Sequence, residues 1–158
     1  MNRSLEEKSS ARLAAVQLLY KAAMTGEKPN PERMATDYQH FLEENKDAPK
    51  EAHLSPVPPS MAYLKKLLSG VTEHAGALEP WVEKCLTADW KKERMSPLLL
   101  AILRLGVFEI AHFRTLKPAI LINEYVSLTG RFFGEAETGF VNASLNKVAA
   151  EMRSDDER

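Results

Sequence analysis

Residues 97–111 read PLLLAILRLGVFEIA, the longest apolar run in the chain. Ser96-Pro97 opens it with a strong helix start. A serine hydroxyl can cap free backbone N–H groups, and proline at the first helical position loses no hydrogen bond. The run is too short to cross a bilayer, and Arg104 and Glu109 interrupt it. It therefore predicts a helix to about Phe113, apolar nearly all round and so central to the core. Leu103, Val107, Phe108 and Ile110 are expected to be buried there.

Working outward, Pro118 breaks the chain, and a further helix is expected from about Ala119 to Phe133, ended by Gly134. A last helix should span roughly Thr138 to Met152. Upstream, Ala88 to Arg94 is polar apart from Trp90 and fits one short turn. Ser60 should cap a helix through Leu68. Gly70 loosens the junction with a helical stretch ending near Leu86, which Pro80 kinks or restarts. Residues 45–60 hold four of the nine prolines and form a long linker or loop. Pro31 fits the first position of a helix capped by Asn30 and running to about Glu44, with Met34, Tyr38, Phe41 and Leu42 at helical spacing. Residues 5–24 contain no Gly or Pro and form the first helix. Leu13, Val16, Tyr20 and Met24 share one of its faces, and Lys8 and Arg12 an adjacent stripe. No stretch alternates as a strand does, and no internal repeat is evident. The fold class is all-α, with about seven helices in two groups divided near the Pro-rich linker.

With 158 residues the chain has the length of one domain, and 44% hydrophobic against 27% charged residues is ordinary for a globular protein. The single cysteine, Cys85, excludes an intrachain disulfide and a multi-cysteine zinc site. Residues 1–10 are polar and lack the apolar core of a secretory signal. The net charge of −1 argues against coating nucleic acid by bulk charge. Its distribution is uneven. Residues 1–25 carry four bases against two acids, residues 26–60 four against seven, and residues 154–158 one against three. Any nucleic-acid site must be a local patch. The tail 154–158 is expected to be disordered.

Enzyme motifs are missing: there is no phosphate-binding glycine loop, no HExxH and no GxSxG. The histidines His40, His53, His74 and His112 lie on different expected elements and make no metal pattern. Cys85, beside Val82 and Leu86, reads as a buried small hydrophobe rather than a nucleophile. Glu109 and Glu124 could pair across helices, but an ion pair with Arg104 is the plainer reading. Four features could carry function. The Lys8/Arg12 stripe could hold phosphates or be a solvated helix face. Tyr20 could stack on a base or pack in the core. In GFVNASL, residues 139–145, Phe140 and Asn142 stand at the expected mouth of the last helix. Free N–H groups there attract phosphate, although capping and core packing explain the same residues. Ile122-Asn123-Glu124 places a polar pair in an apolar helix start, where a structural hydrogen-bond role is the simpler reading.

ARLAAVQLLY at 11–20, YLKKLLSGV at 63–71, AILRLGVFEI at 101–110, INEYVSL at 122–128 and FVNASLNKVA at 140–149 together resemble, in order and spacing, the NusB family of transcription antitermination factors. The resemblance implies one NusB-like domain over residues 1–153. Its N-terminal helical subdomain would cover about 1–58 and its C-terminal one about 59–153. It implies a cytoplasmic protein, not an enzyme and without cofactor, that binds boxA-type single-stranded RNA. Its partners would be NusE, a small-subunit ribosomal protein, and the RNA polymerase antitermination complex, on rRNA operons; no membrane is involved. The family's first helix starts with arginines that meet RNA. Here Arg12 matches the last of them, followed by Gln17 and Tyr20, while Glu6, Glu7, Lys8, Ser9 and Ser10 replace the others. Phe140 and Asn142 match the family's FVNG motif at the RNA side, with Ala143 in place of glycine. The resemblance puts the NusE face in ERMSPLLL, at Arg94, Met95, Leu98 and Leu99, more apolar here than usual. The FVNA variant also resembles the NusB-like domain that fronts RsmB-type rRNA cytosine methyltransferases. The chain stops where a catalytic domain would begin, so no methyl transfer is expected. A helical protein–protein adaptor without RNA binding is the third reading.

Overall fold

The computed structural model describes residues 3–49, 55 and 57–154; most of the expected tail and residues 50–54 and 56 of the expected linker lie outside this range. The described residues form seven α-helices and no strand. The helices are α1 (Arg3–Thr25), α2 (Pro31–Glu44), α3 (Met61–Glu73), α4 (Ala75–Cys85), α5 (Pro97–His112), α6 (Pro118–Gly130) and α7 (Glu135–Met152), with a 3-10 turn at Lys92–Arg94. None is long and apolar enough to cross a membrane. The all-α expectation holds.

Two compact units divide the chain, Met1–Thr72 and Glu73–Arg158. The boundary expected near residue 58 is thus displaced to the end of α3. The reason is tertiary: α3 and its cap are bonded to α1. The Ser60 N–H donates to the Glu7 carbonyl oxygen at 3.1 Å, and Arg12 Nη2 donates to the Tyr63 hydroxyl at 3.1 Å.

In the first unit, the middle of α1 is enclosed on all sides. Every residue from Ser10 to Val16 is buried, and three alanines in that tract allow close approach by neighbours. Leu13 and Val16 are core, as the helical spacing predicts, but Tyr20 is half-buried and Met24 is 60% exposed. The Asn30 cap forms as expected, its side-chain oxygen accepting from the Arg33 N–H at 3.2 Å. Ser60 Oγ likewise accepts from the Tyr63 N–H at 3.2 Å. On α2 only Ala35 is fully buried, and Phe41 is 52% exposed.

The second unit is built round α5. Leu99–Leu103 and Leu105–Ile110 are all buried, and α4, α6 and α7 pack against them. Ser96 Oγ accepts from the Leu98 N–H at 3.1 Å, completing the expected start. Gly106 allows a close approach to α7: a Cβ there would lie 2.8 Å from Leu145 Cδ1, and Leu145 is fully buried. Pro80 sits inside α4 without breaking it; the restart comes at His74, a single residue between α3 and α4. Pro118 begins α6, which ends at Gly130 rather than Phe133, because the Arg131 and Phe132 N–H groups turn back to Leu128 and Thr129.

The buried carboxylate expected to pair with Arg104 has a different partner. Glu109, fully buried, accepts a hydrogen bond from the Tyr125 hydroxyl of α6. Arg104 instead makes a two-pronged bond with Glu79 of α4, at 3.1 and 3.0 Å. Five positions apart on one helix, the two charged residues leave α5 about 140° from each other, so they cannot meet side by side.

Candidate RNA and partner surfaces

The α1 stripe is less open than its charges predict. Arg12 is only 5% exposed, because it falls in the enclosed tract of the helix. A buried guanidinium needs partners, and Tyr63 is one: the hydroxyl accepts from Nη2, and the ring lies 5.3 Å from Cζ. Lys8, one turn earlier and half-buried, holds its Nζ 5.5 Å from the same ring centroid. Tyr63, which the sequence did not single out, therefore organises both cations. Gln17 and Tyr20 are half-buried, and Gln17 Oε1 has no hydrogen-bond partner among the described residues.

On α7 the expected helix mouth is corrected. The helix begins at Glu135, so Gly139 and Phe140 lie in its second turn and present no free N–H groups. The true start is occupied by carboxylates: Glu135 stands in the first turn, and Glu137 Oε1 accepts from the Gly134 N–H at 3.1 Å. Phosphate is not favoured there. Phe140 is 7% exposed and stacks on Trp90, ring centroids 4.5 Å apart and 23° between planes. Asn142 is exposed; its carbonyl oxygen and Oδ1 accept from Asn146 Nδ2 at 2.8 and 3.2 Å. Gly139 and Ala143 are exposed near it.

The segment before α5 carries an open cavity of about 250 Å³, lined by Trp90, Arg94, Met95, Leu99, Phe133 and Glu137 among others. Arg94 is exposed, and Met95 and Leu98 are half-buried. Leu99 is 2% exposed, so it supports this surface from beneath rather than forming its face. An ion-pair cluster ties the segment down: Lys92 Nζ lies 2.6 Å and Arg104 Nη2 3.0 Å from Glu79 Oε1. Partial burial pushes the Glu79 pKa up, but bonds and charge from Arg104 and Lys92 outweigh it and hold the carboxyl below its ordinary range.

Two other candidate groups resolve. Cys85 is buried, with its thiol aimed at the Trp81 and Ser144 carbonyl oxygens and its pKa raised by burial, as suits a packing residue. The histidines are not all scattered: His74 and His112 stack at 4.4 Å between centroids, and both adjoin Phe108. His53 lies outside the described residues. Burial, then His74 and Arg114, lower the His112 pKa. A histidine depressed in the folded state contributes stability above its unfolded pKa, and that stability is lost as pH falls through the folded value. Unfolding measured from pH 7.5 downward should therefore show a loss below the ordinary imidazole range. His112→Gln should remove that component; an unchanged pH profile would refute the assignment.

The sequence matches the NusB family model over residues 9–150. It is 30% identical over 149 residues to the transcription antitermination protein NusB of Bradyrhizobium diazoefficiens, covering 94% of this chain and 87% of that one. Among solved structures, NusB of T. maritima superposes with a TM-score of 0.69 at 19% identity, covering 91% of each chain, a likeness of fold. A chain in the crystal structure of the antitermination factors NusB and NusE in complex with double-stranded RNA superposes with a TM-score of 0.68 at 26% identity, covering 96% of this chain and 99% of that one. The helices, their order and these matches across nearly the whole length agree: the chain belongs to the NusB family.

Proposed function

We propose that the chain is a transcription antitermination factor that binds boxA-type single-stranded RNA together with NusE and so promotes transcription of rRNA operons by RNA polymerase. The observation that carries this reading is the family match over residues 9–150, together with the near full-length likeness to a chain from a NusB–NusE–RNA structure. It is a binding role, carried out in the cytoplasm, with no catalytic residue and no cofactor. On this reading Lys8, Arg12, Gln17 and Tyr20 of α1 and Asn142 of α7 belong to the RNA side. Lys8 neutralises phosphate, while Arg12, bound to Tyr63, orders the stripe. Phe140, enclosed by Trp90, supports the α7 face instead of stacking on a base. Arg94, Met95 and Leu98 meet NusE, and Leu99 backs them.

The test is a titration of boxA RNA with the chain alone and with NusE, against scrambled RNA. Tighter, sequence-dependent binding by the pair is expected; equal affinity for scrambled RNA overturns the reading. The burial of Arg12 and Phe140 favours a second reading, an RNA-independent helical adaptor, which requires NusE binding without any effect of RNA. Salt adds a further expectation. With so few accessible cations, roughly 2–4 phosphates should be neutralised, at a log–log slope of about −0.7 each for a single strand. A slope near about −7 would require a much larger basic surface.

A further inference from the structure

We propose that Trp90 is a positioning residue that couples occupancy of the cavity before α5 to the RNA-side face of α7; this rests on the functional reading above. In the sequence Trp90 is the one apolar side chain in an otherwise polar stretch, residues 88–94 apart from Ala88. Its loop is held by few backbone bonds: Trp90 and Thr87 exchange N–H to carbonyl bonds at 3.2 and 3.3 Å, and the 3-10 turn comes next. The Lys92–Glu79 pair anchors the loop just beyond the indole, leaving the ring itself held by packing.

That packing has two parts. The indole lines the cavity with Arg94, Met95 and Leu99, and it stacks on Phe140 at 4.5 Å. A partner side chain entering the cavity therefore meets the ring against which Phe140 rests. Phe140 is two residues from the exposed Asn142, and Val141 between them is fully buried, so the tilt of this turn is set by what packs beneath it. Stacked aromatic pairs have geometric preferences, and a close-packed interior passes small displacements on rather than absorbing them. Filling the cavity orders the indole, the indole orders Phe140, and RNA then binds a face already fixed, without any new RNA contact.

The experiment measures a ratio, because a merely structural role would not move it: the boxA dissociation constant of the full chain without NusE divided by that with saturating NusE. For the parent the ratio should exceed one, within the roughly 5–150-fold range usual for coupled sites. Trp90→Phe, which retains an aromatic ring, should keep most of it, and Trp90→Leu should bring it close to one. Linkage requires the same change in NusE affinity measured with and without RNA. A folded Trp90→Leu variant with the parent's ratio overturns the proposal while leaving the functional reading intact. A parent pair that does not bind boxA overturns both. If Trp90→Leu does not fold, Trp81→Phe leaves Trp90 as the only tryptophan. Its emission should then respond to boxA RNA alone as well as to NusE. No response to bound RNA overturns the coupling.

Discussion

Phe108→Ala should lower the unfolding free energy by about 3–5 kcal/mol, as deletion of a buried phenyl ring does. Phe108 is 4% exposed on the central helix α5 and lies against Phe113 edge-on at 5.4 Å and against His112 at 4.9 Å. The rings round it stand at helix ends: His112 and Phe113 close α5, and His74 precedes α4. At roughly 2–4 °C per kcal/mol for a chain of this size, the melting midpoint should fall by about 6–20 °C. Phe108→Leu, which keeps most of the volume, should cost clearly less. Calorimetry of the two variants decides it, and an unchanged midpoint for the alanine variant would mean that α5 is not the centre of the core.

Arg153→Ala should also be strongly damaging, because each buried carbonyl oxygen left without its donor costs about 1–3 kcal/mol. Arg153 lies directly after α7 and is 6% exposed. Its guanidinium donates to the Ile110 carbonyl oxygen at 3.1 and 2.8 Å, to Phe113 at 3.2 Å and to Leu116 at 2.6 Å. It thus caps the C-terminal end of α5 from another helix, satisfying carbonyls that the helix leaves open and placing a cation where the helix dipole favours one. Arg153→Lys keeps the charge but not the planar fork and should recover only part of the loss. Denaturant unfolding at constant pH measures both. If alanine costs less than about 1 kcal/mol, water replaces the cap and the end of α5 is not sealed.

The helices were legible because helix formation is settled over a few residues. Ser96, Asn30 and Ser60 cap where expected, since a cap bonds a backbone N–H only two or three positions away. The nearly all-apolar surface of 97–111 required burial of most of the helix, and only Pro97, Leu98, Arg104 and Ala111 stay partly open. The end of α6 and the start of α7 were misplaced by three residues because Gly134 and Glu137 make a start that the later Gly139 obscured.

The family resemblance picked out Arg12 and Phe140, but neither side chain is presented as a free surface group. The signal missing from the sequence was the partner in each case: Tyr63 is 51 positions from Arg12, and Trp90 is on a loop before another helix. The same holds for Glu79 with Arg104, Tyr125 with Glu109, and His74 with His112.

By itself, then, the sequence determined which segments are helices and which of them is central, because periodicity, capping and apolar content act within a turn or two of the backbone; the family resemblance rests on the order and spacing of its motifs. Only the tertiary structure decided which charges are buried, that α3 belongs with α1, and that Arg153 closes the end of α5. These depend on groups brought within hydrogen-bonding distance from far-apart positions. A buried charge or carbonyl must find such a partner, but its own neighbours in sequence do not say which one.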